Sequence, residues 1–108
     1  MQITLQTPEK IDLITFDPAE GEYVLIISAV NDWDGTENEE QLLLRKLNNY
    51  LYFAIEGGLS ENYPQSKGVP IRVQIDCTTL PPSLIEQTIA EAQKLLLTHK
   101  IRVCINLI

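Results

Sequence analysis

A chain of 108 residues with 44% hydrophobic and 21% charged residues has the composition of one ordinary globular domain. Its formal net charge of −7, with eight scattered basic residues, excludes the basic footprint of a nucleic-acid-binding protein and disfavours an anionic membrane surface. No apolar run is long enough to span a bilayer, and no secretory signal is visible at the N-terminus, so we expect a cytoplasmic protein.

The first half of the chain predicts an arm, a hairpin and a long helix. Residues 1–10 are mostly polar and indicate an N-terminal arm or short edge strand, followed by a single domain over 11–108. Residues 11–17 and 23–30 are strand-like and flank a turn containing Pro18 and Gly21, which predicts a β-hairpin. Apolar residues then recur at helical spacing over about 36–56. Thr36 and Glu39 fit a capping box at the start of this helix, and Gly57-Gly58 supplies its stop.

The second half predicts a strand, a helix and a strand. Residues 69–77 and 101–107 alternate between apolar and polar side chains, as half-buried strands do. Residues 83–99 carry an apolar helical stripe, with Ser83 and Glu86 as a second capping box and Thr79 as an alternative cap. The single histidine, His99, falls at the end of this helix, where a role as a helix-end residue is favoured over a catalytic one.

The element order ββαβαβ predicts an α+β fold with a mixed, open-faced sheet. Crossovers between parallel strands are right-handed, so strand order 1-2-3-4 places both helices on one face. The polar residues Arg72, Gln74 and Asp76 favour this arrangement, because a sheet covered on both sides would be apolar on both. The uncovered face is expected to carry an apolar patch that serves as an interface, formed by Ile14, Phe16, Val24 and Ile26. Alternatively, the N-terminal arm folds over this patch through Ile3 and Leu5.

An acidic segment at residues 32–40 surrounds the single tryptophan, Trp33. Clustered carboxylates such as Asp32 and Asp34 suit a hard divalent cation, but the spacing does not fit an EF-hand loop. Acids in the first helical turn also complement the helix dipole, and we favour that interpretation, with no metal. Trp33 either closes the top of the core or anchors a partner.

A second candidate site is a groove between the first helix and the loop over 59–70. Its polar contacts would be Asn48 or Asn49, Tyr63 and Lys67, with Tyr50 on the flank of the core stripe. In the alternative interpretation the loop simply covers Leu42 and Phe53, with Tyr63 as the packing residue.

Catalytic and cofactor signatures are missing from the sequence. There is no phosphate-binding loop, GxGxxG, HExxH or GxSxG motif, and Cys77 and Cys104 form no CxxC pair. We therefore expect no cofactor and no structural zinc, and we favour a binding protein over an enzyme.

Several motifs in their order resemble a family of short uncharacterised bacterial proteins. They are Asp32-Trp33-Asp34, then Lys46-Leu47-Asn48-x-Tyr50-Leu51-x-Phe53, then Tyr63-Pro64 and Gly68. The resemblance covers about residues 11–107 and implies a one-piece bacterial cytoplasmic domain, with no activity to transfer.

Three functions stay open at this point. The favoured one is a small acidic non-catalytic domain that binds another protein. The second is a small enzyme or a ligand- or metal-binding domain that uses the acidic loop 32–40 and the helix–loop groove, bringing Asp32, Asp34, Asn48 and Tyr63 into one pocket. The third is a self-assembling structural protein; a homo-oligomer and a different partner protein are equally open.

Overall fold

The hairpin and the two later strands form one mixed sheet in a computed structural model that describes residues 11–29 and 33–108. The strands are β1 (Leu13–Asp17), β2 (Glu22–Ala29), β3 (Ile71–Cys77) and β4 (Ile101–Leu107), in the order β1-β2-β3-β4. β1 is antiparallel to β2, whereas β2, β3 and β4 are parallel. The predicted α+β class and strand order are therefore confirmed. The expected N-terminal arm, with Ile3 and Leu5, lies outside the described residues.

Two long helices connect the parallel strands and lie on one face of the sheet. α1 (Glu37–Ile55) joins β2 to β3, and α3 (Ser83–Leu97) joins β3 to β4. Their apolar stripes meet alternate residues of the strands in one core, which includes Leu25, Ile27 and Val73. Because both crossovers step the same way across the sheet, right-handed connections bring both helices to the same side.

The cap of α1 follows the predicted pattern with one change of partner. The Glu39 N–H donates to the Thr36 hydroxyl oxygen at 3.2 Å, as a capping box requires. The Glu39 carboxylate does not return to Thr36 but accepts from the backbone N–H groups of Asp34 and Gly35, at 3.1 and 2.9 Å. The predicted cap at Ser83 is wrong, since α3 begins there and Pro82 occupies the cap position without a side-chain hydrogen bond.

The segment after α1 contains structure that the sequence pattern did not predict. α1 ends at Ile55, Gly57 adopts φ 95°, and a short helix α2 (Gly58–Asn62) follows at once. A Cβ on Gly58 would lie 2.6 Å from the Phe53 ring, so glycine is what allows the chain to turn this closely. A single 3₁₀ turn over Pro64–Ser66 completes the connection toward β3.

The strand register corrects the predicted apolar patch. Ile14 pairs with Leu25 and Phe16 with Tyr23, which places both on the helix-covered face. Val24 and Ile26 do lie on the opposite face, here called the open face, but only 1% and 9% of their surfaces are exposed. The prediction that these four side chains form one exposed patch is therefore wrong. The strand pattern predicts which side chains share a face of the sheet, whereas the register across the hairpin turn decides which of the two sets faces the helices.

Candidate functional site

A network of charged side chains crosses the open face from β1 to β4. The Glu22 carboxylate accepts hydrogen bonds from Arg72 at 2.9 Å and from Arg102 at 2.7 Å, and Arg72 also donates to Asp17 at 3.1 Å. The Arg102 guanidinium is the main cause that holds the pKa of the Glu22 carboxyl below its usual range. Every charge in this network has a partner of opposite sign, so it stabilises the sheet and offers no free charge to a ligand.

A second ionic cluster is buried between α1 and the hairpin. The Lys46 ammonium is fully buried and lies 3.0 Å from an Asp12 carboxylate oxygen, while the Ser28 N–H donates to the other oxygen at 3.0 Å. The Tyr50 hydroxyl donates to the Ile26 carbonyl at 2.6 Å and accepts from the Asp12 N–H at 2.9 Å. Burial raises the pKa of the Tyr50 phenol. These contacts attach α1 to β2 and to the residue just before β1.

The role of Lys46 was not predicted from the sequence, although the sequence contains a signal for it. Lys46 follows Leu43 by three residues and precedes Tyr50 by four, so it stands within the apolar stripe of α1. A lysine is seldom fully buried unless it is paired, and its position in the stripe indicates a buried carboxylate on the opposing element. Nothing in the sequence identified that carboxylate as Asp12, because the pairing joins residues 34 positions apart.

The acidic segment at the start of α1 is held by hydrogen bonds within the chain. One Asp34 carboxylate oxygen accepts from the Thr36 N–H at 2.9 Å and from its hydroxyl at 2.8 Å, and these bonds lower the pKa of Asp34. The Trp33 indole N–H donates to the Thr79 carbonyl at 3.1 Å, and its ring packs against the core. Asp32 lies outside the described residues. Together these contacts attach the start of α1 to the loop after β3.

The residues predicted to form one pocket are not brought together. Asp34 precedes the first turn of α1, whereas Tyr63 and Lys67 follow its last turn, and a helix of 19 residues is about 28 Å long. Asn48 is exposed on the middle of the helix. Tyr63 packs its ring 6.0 Å from that of Tyr23, as expected for a loop that covers the core.

The two cysteines and the single histidine lie apart from one another in the fold. Cys77 is buried and Cys104 half-buried, and burial is the main cause that raises the pKa of both thiols. His99 lies in the turn before β4, whereas Cys104 lies three residues after the first residue of that strand, a rise of about 10 Å along it. Neither thiol has the lowered pKa or the adjacent base that makes a cysteine nucleophile.

The last strand, β4, carries a rim of exposed apolar side chains at its carboxyl end. Leu107 and Ile108 are 55% and 62% exposed, Ile105 is 37% exposed, and Leu80 from the neighbouring loop is 73% exposed. β4 is also the terminal strand of the described sheet. An apolar rim beside a terminal strand is the combination by which sheets recruit another strand.

The direction of the backbone groups in β4 follows from one hydrogen bond. The Ile108 N–H donates to the Cys77 carbonyl of β3 at 2.9 Å. Hydrogen-bonding direction alternates along a strand, so Arg102, Cys104 and Asn106 also direct their backbone groups toward β3. The N–H and C=O groups of Val103, Ile105 and Leu107 point the other way, away from the sheet.

Two further properties concern the described part of the chain only. Across residues 11–29 and 33–108, no three histidine, cysteine, aspartate or glutamate side chains are grouped so that they could hold a metal ion. Over the same ranges, neither long helix combines the length and apolar character that crossing a bilayer requires.

Comparison with known proteins shows a family relationship over nearly the whole chain. Neither the comparison with curated proteins nor the comparison with solved structures gave a match. A family model does match, over residues 3–108, so it includes both ionic clusters, the start of α1 and the rim of β4. The chain belongs to DUF6572, a family of unknown function.

Proposed function

We propose that this domain is a small acidic, non-catalytic protein-binding module that accepts an extended segment of a different protein as an additional strand beside β4. The observation that carries the proposal is the apolar rim of Leu80, Ile105, Leu107 and Ile108 beside outward-directed backbone groups. The added segment would satisfy those groups, and its apolar side chains would cover the rim.

The rim offers enough apolar surface for a specific contact. Full burial of one leucine or isoleucine side chain contributes roughly 1.5–3 kcal/mol. Burying the exposed half of such a side chain would contribute about 1 kcal/mol to the free energy of binding. The four rim residues would therefore contribute about 4 kcal/mol, before the main-chain hydrogen bonds are counted. That magnitude suits a binding site of modest size and not a permanent assembly.

The charge of the chain favours a basic partner over a second copy. The formal net charge is −7, and the open-face network neutralises two of the arginines within the molecule. Two copies would therefore repel each other, most strongly at low ionic strength, whereas a segment with a net positive charge would be attracted. The raised pKa of each thiol supports the non-catalytic part of the proposal, since neither cysteine is an activated nucleophile.

Amide hydrogen exchange of the isolated protein tests whether the edge of β4 is free. We expect alternation along the strand: the amides of Arg102, Cys104 and Asn106 exchange slowly, and those of Val103, Ile105 and Leu107 exchange fast. The reason is that only the first set donates to β3. Slow exchange at all six positions in a monomer would mean that the edge is already covered, and the proposal would be wrong.

A synthetic peptide then tests strand addition directly. The probe is a nine-residue peptide of alternating valine and threonine with a lysine at each end, and the control carries N-methyl groups on every residue between the lysines, which removes the N–H donors from both edges. We expect the probe to slow exchange at Val103, Ile105 and Leu107 and the control to have no effect. Equal effects of the two peptides would contradict strand addition.

Two variants at one position separate the main chain from the side chain. Leu107→Ala keeps the outward N–H and removes the apolar side chain, whereas Leu107→Pro removes both without breaking a hydrogen bond to β3. Both should remain folded, and the proline variant should bind the probe more weakly than the alanine variant. Equal affinities would show that main-chain pairing at Leu107 is not used.

Light scattering coupled to size exclusion decides between the two kinds of partner. We expect a monomer over a wide concentration range at low and physiological ionic strength. A dimer whose formation slows exchange at Val103, Ile105 and Leu107 would assign the edge to a second copy and overturn the heterologous partner proposed here.

A further inference from the structure

A groove lies at the other end of β4, where the parallel strands begin. One cavity of about 360 Å³ is lined by residues that include Ile55, Pro70, Ile71, His99, Lys100 and Ile101. A second cavity, of about 220 Å³, is lined by residues that include Leu59, Ser60, Ser66 and Lys67. The two cavities share Ala54, Ile55, Gly68, Val69 and Ile71, so they form one continuous groove.

The walls of this groove come from three separate parts of the chain. The last turn of α1 forms one wall, the segment from Gly57 to Pro70 forms the second, and the turn between α3 and β4 forms the third. Its position departs from the usual rule, since ligands of sheets with parallel strands bind at the carboxyl ends of those strands. The larger cavity, of about 360 Å³, has the size of a site for a short, small ligand.

The lining is apolar in its floor and basic at its rim. Ile71, Ile101 and Val69 supply apolar surface, whereas Lys67 and Lys100 supply positive charge, and no aspartate or glutamate lines the groove among the residues that the structure describes. This composition is unusual for a chain with fifteen acidic and eight basic residues. The lysines at the rim would attract an anionic group of a ligand, and the apolar floor would contact a short apolar part of the same ligand.

The backbone at Lys100 gives an independent indication. Lys100 has a φ of 62°, and among the described residues the other positive values belong to glycines. Glycine adopts this conformation without strain, whereas a lysine side chain makes it less favourable. A lysine held in a strained backbone conformation at the rim of a cavity is the kind of feature found at ligand sites.

From this arrangement we propose that the groove binds a small amphipathic anion, in which an acid headgroup lies between Lys67 and Lys100 and a short apolar chain lies against Ile71 and Ile101. The headgroup is a carboxylate or a phosphate. This site is separate from the strand-addition surface, because the rim of β4 lies at the carboxyl end of the strand and the groove at its amino end.

Titration with probes of matched chain length tests the proposal. The probes are octanoate, octyl phosphate, octan-1-ol and octylammonium, and binding is followed through the amide chemical shifts of Gly68, Ile71 and Ile101. We expect saturable shifts with the two anions, weaker binding of the alcohol, and the weakest binding of the cation. The stronger of the two anions identifies the headgroup. Equal affinities for octanoate and octan-1-ol would overturn the proposal, as would the absence of any saturable shift.

Three variants with the same change of charge locate the effect. Lys100→Gly removes a rim charge and also relieves the strained φ, so it should fold at least as well as the original chain. Lys67→Gln removes the other rim charge, and Lys94→Gln removes an exposed lysine of α3 that does not line the groove. Each rim variant should weaken binding of the anions by about threefold to tenfold, and Lys94→Gln should not. Equal weakening by all three would show that net charge alone, and not this groove, governs binding.

Discussion

The buried ion pair between Lys46 and Asp12 makes a specific prediction about stability. Asp12→Asn keeps the shape of the side chain but leaves the fully buried Lys46 ammonium without the carboxylate that lies 3.0 Å from it. Breaking a buried pair by removing one partner typically costs about 3–5 kcal/mol, because the buried charge that remains has lost its ionic partner. A domain of this length has a total stability of roughly 5–15 kcal/mol, so we expect the variant to lose about a fifth of it or more.

The double variant provides the decisive comparison. Lys46→Met fills a similar volume without a charge, so Asp12→Asn combined with Lys46→Met leaves neither an ammonium nor a carboxylate in the cluster. We expect the double variant to be more stable than Asp12→Asn alone, because an apolar replacement of both partners avoids the buried charge. The two single changes should therefore not be additive, with a coupling energy of about 2 kcal/mol.

Urea denaturation at neutral pH measures these differences. Fluorescence of the single tryptophan, Trp33, and far-ultraviolet circular dichroism should give coincident transitions with unchanged m-values. Lys94→Met serves as the control, because Lys94 is exposed and its replacement should change the free energy of unfolding by less than about 0.5 kcal/mol. A loss below about 1 kcal/mol for Asp12→Asn, or strict additivity in the double variant, would refute the reasoning.

Three further predictions concern the open face, the buried phenol and the turn after α1. In Arg102→Gln the pKa of Glu22 should rise, because the guanidinium that lowers it is removed. A carboxyl group whose pKa is lower in the folded chain than in the unfolded chain stabilises the fold at neutral pH, and this stability is lost as the pH falls. The variant should therefore be less stable than the original chain at pH 7 and should lose less stability on acidification. Denaturation at several pH values and carboxyl-carbon NMR check this, and an unchanged Glu22 titration would contradict it. Tyr50→Phe should cost about 1–3 kcal/mol near neutral pH through two lost hydrogen bonds. The pKa of the Tyr50 phenol is raised in the folded chain above its ordinary value of 10.0, so the original chain loses stability as the pH rises past 10.0. The difference in stability between the original chain and Tyr50→Phe should therefore shrink at alkaline pH, and a constant difference would count against this account. Gly58→Ala places a Cβ 2.6 Å from Phe53 and should cost about 1–3 kcal/mol, so an unchanged melting temperature would show that the ring moves freely.

Local signals in the sequence predicted most of the fold. The hairpin turn, the Thr36 cap and the alternation in β3 and β4 each depend on residues that are neighbours in the chain, and all correspond to structure at those positions. The predicted helix over 83–99 extends two residues past the end of α3 at Leu97. The short helix α2 was not predicted because its five residues, which begin with glycine, are too few to show an apolar helical stripe and have no strong helix propensity.

The site was less predictable because its geometry depends on contacts between distant residues. Asp34 and Tyr63 were grouped by their chemistry, but the length of α1 separates them. Lys67 lines a cavity at the end of the first helix, whereas Lys100 and His99 come from a turn that the sequence did not connect with that loop. Pairing across the hairpin likewise decided which face Phe16 occupies.

The position of Glu22 has a consequence for how the sheet selects its alignment. Arg72 and Arg102 stand directly opposite each other on β3 and β4, an arrangement that would be repulsive without the carboxylate that both contact. Apolar alternation repeats every two residues, so it does not distinguish the observed alignment from one in which a strand slides by two positions. Such a slide would keep every apolar side chain on the helix side but move a guanidinium away from Glu22. The charges of Glu22, Arg72 and Arg102 therefore favour the observed strand register over registers that would pack the apolar core equally well.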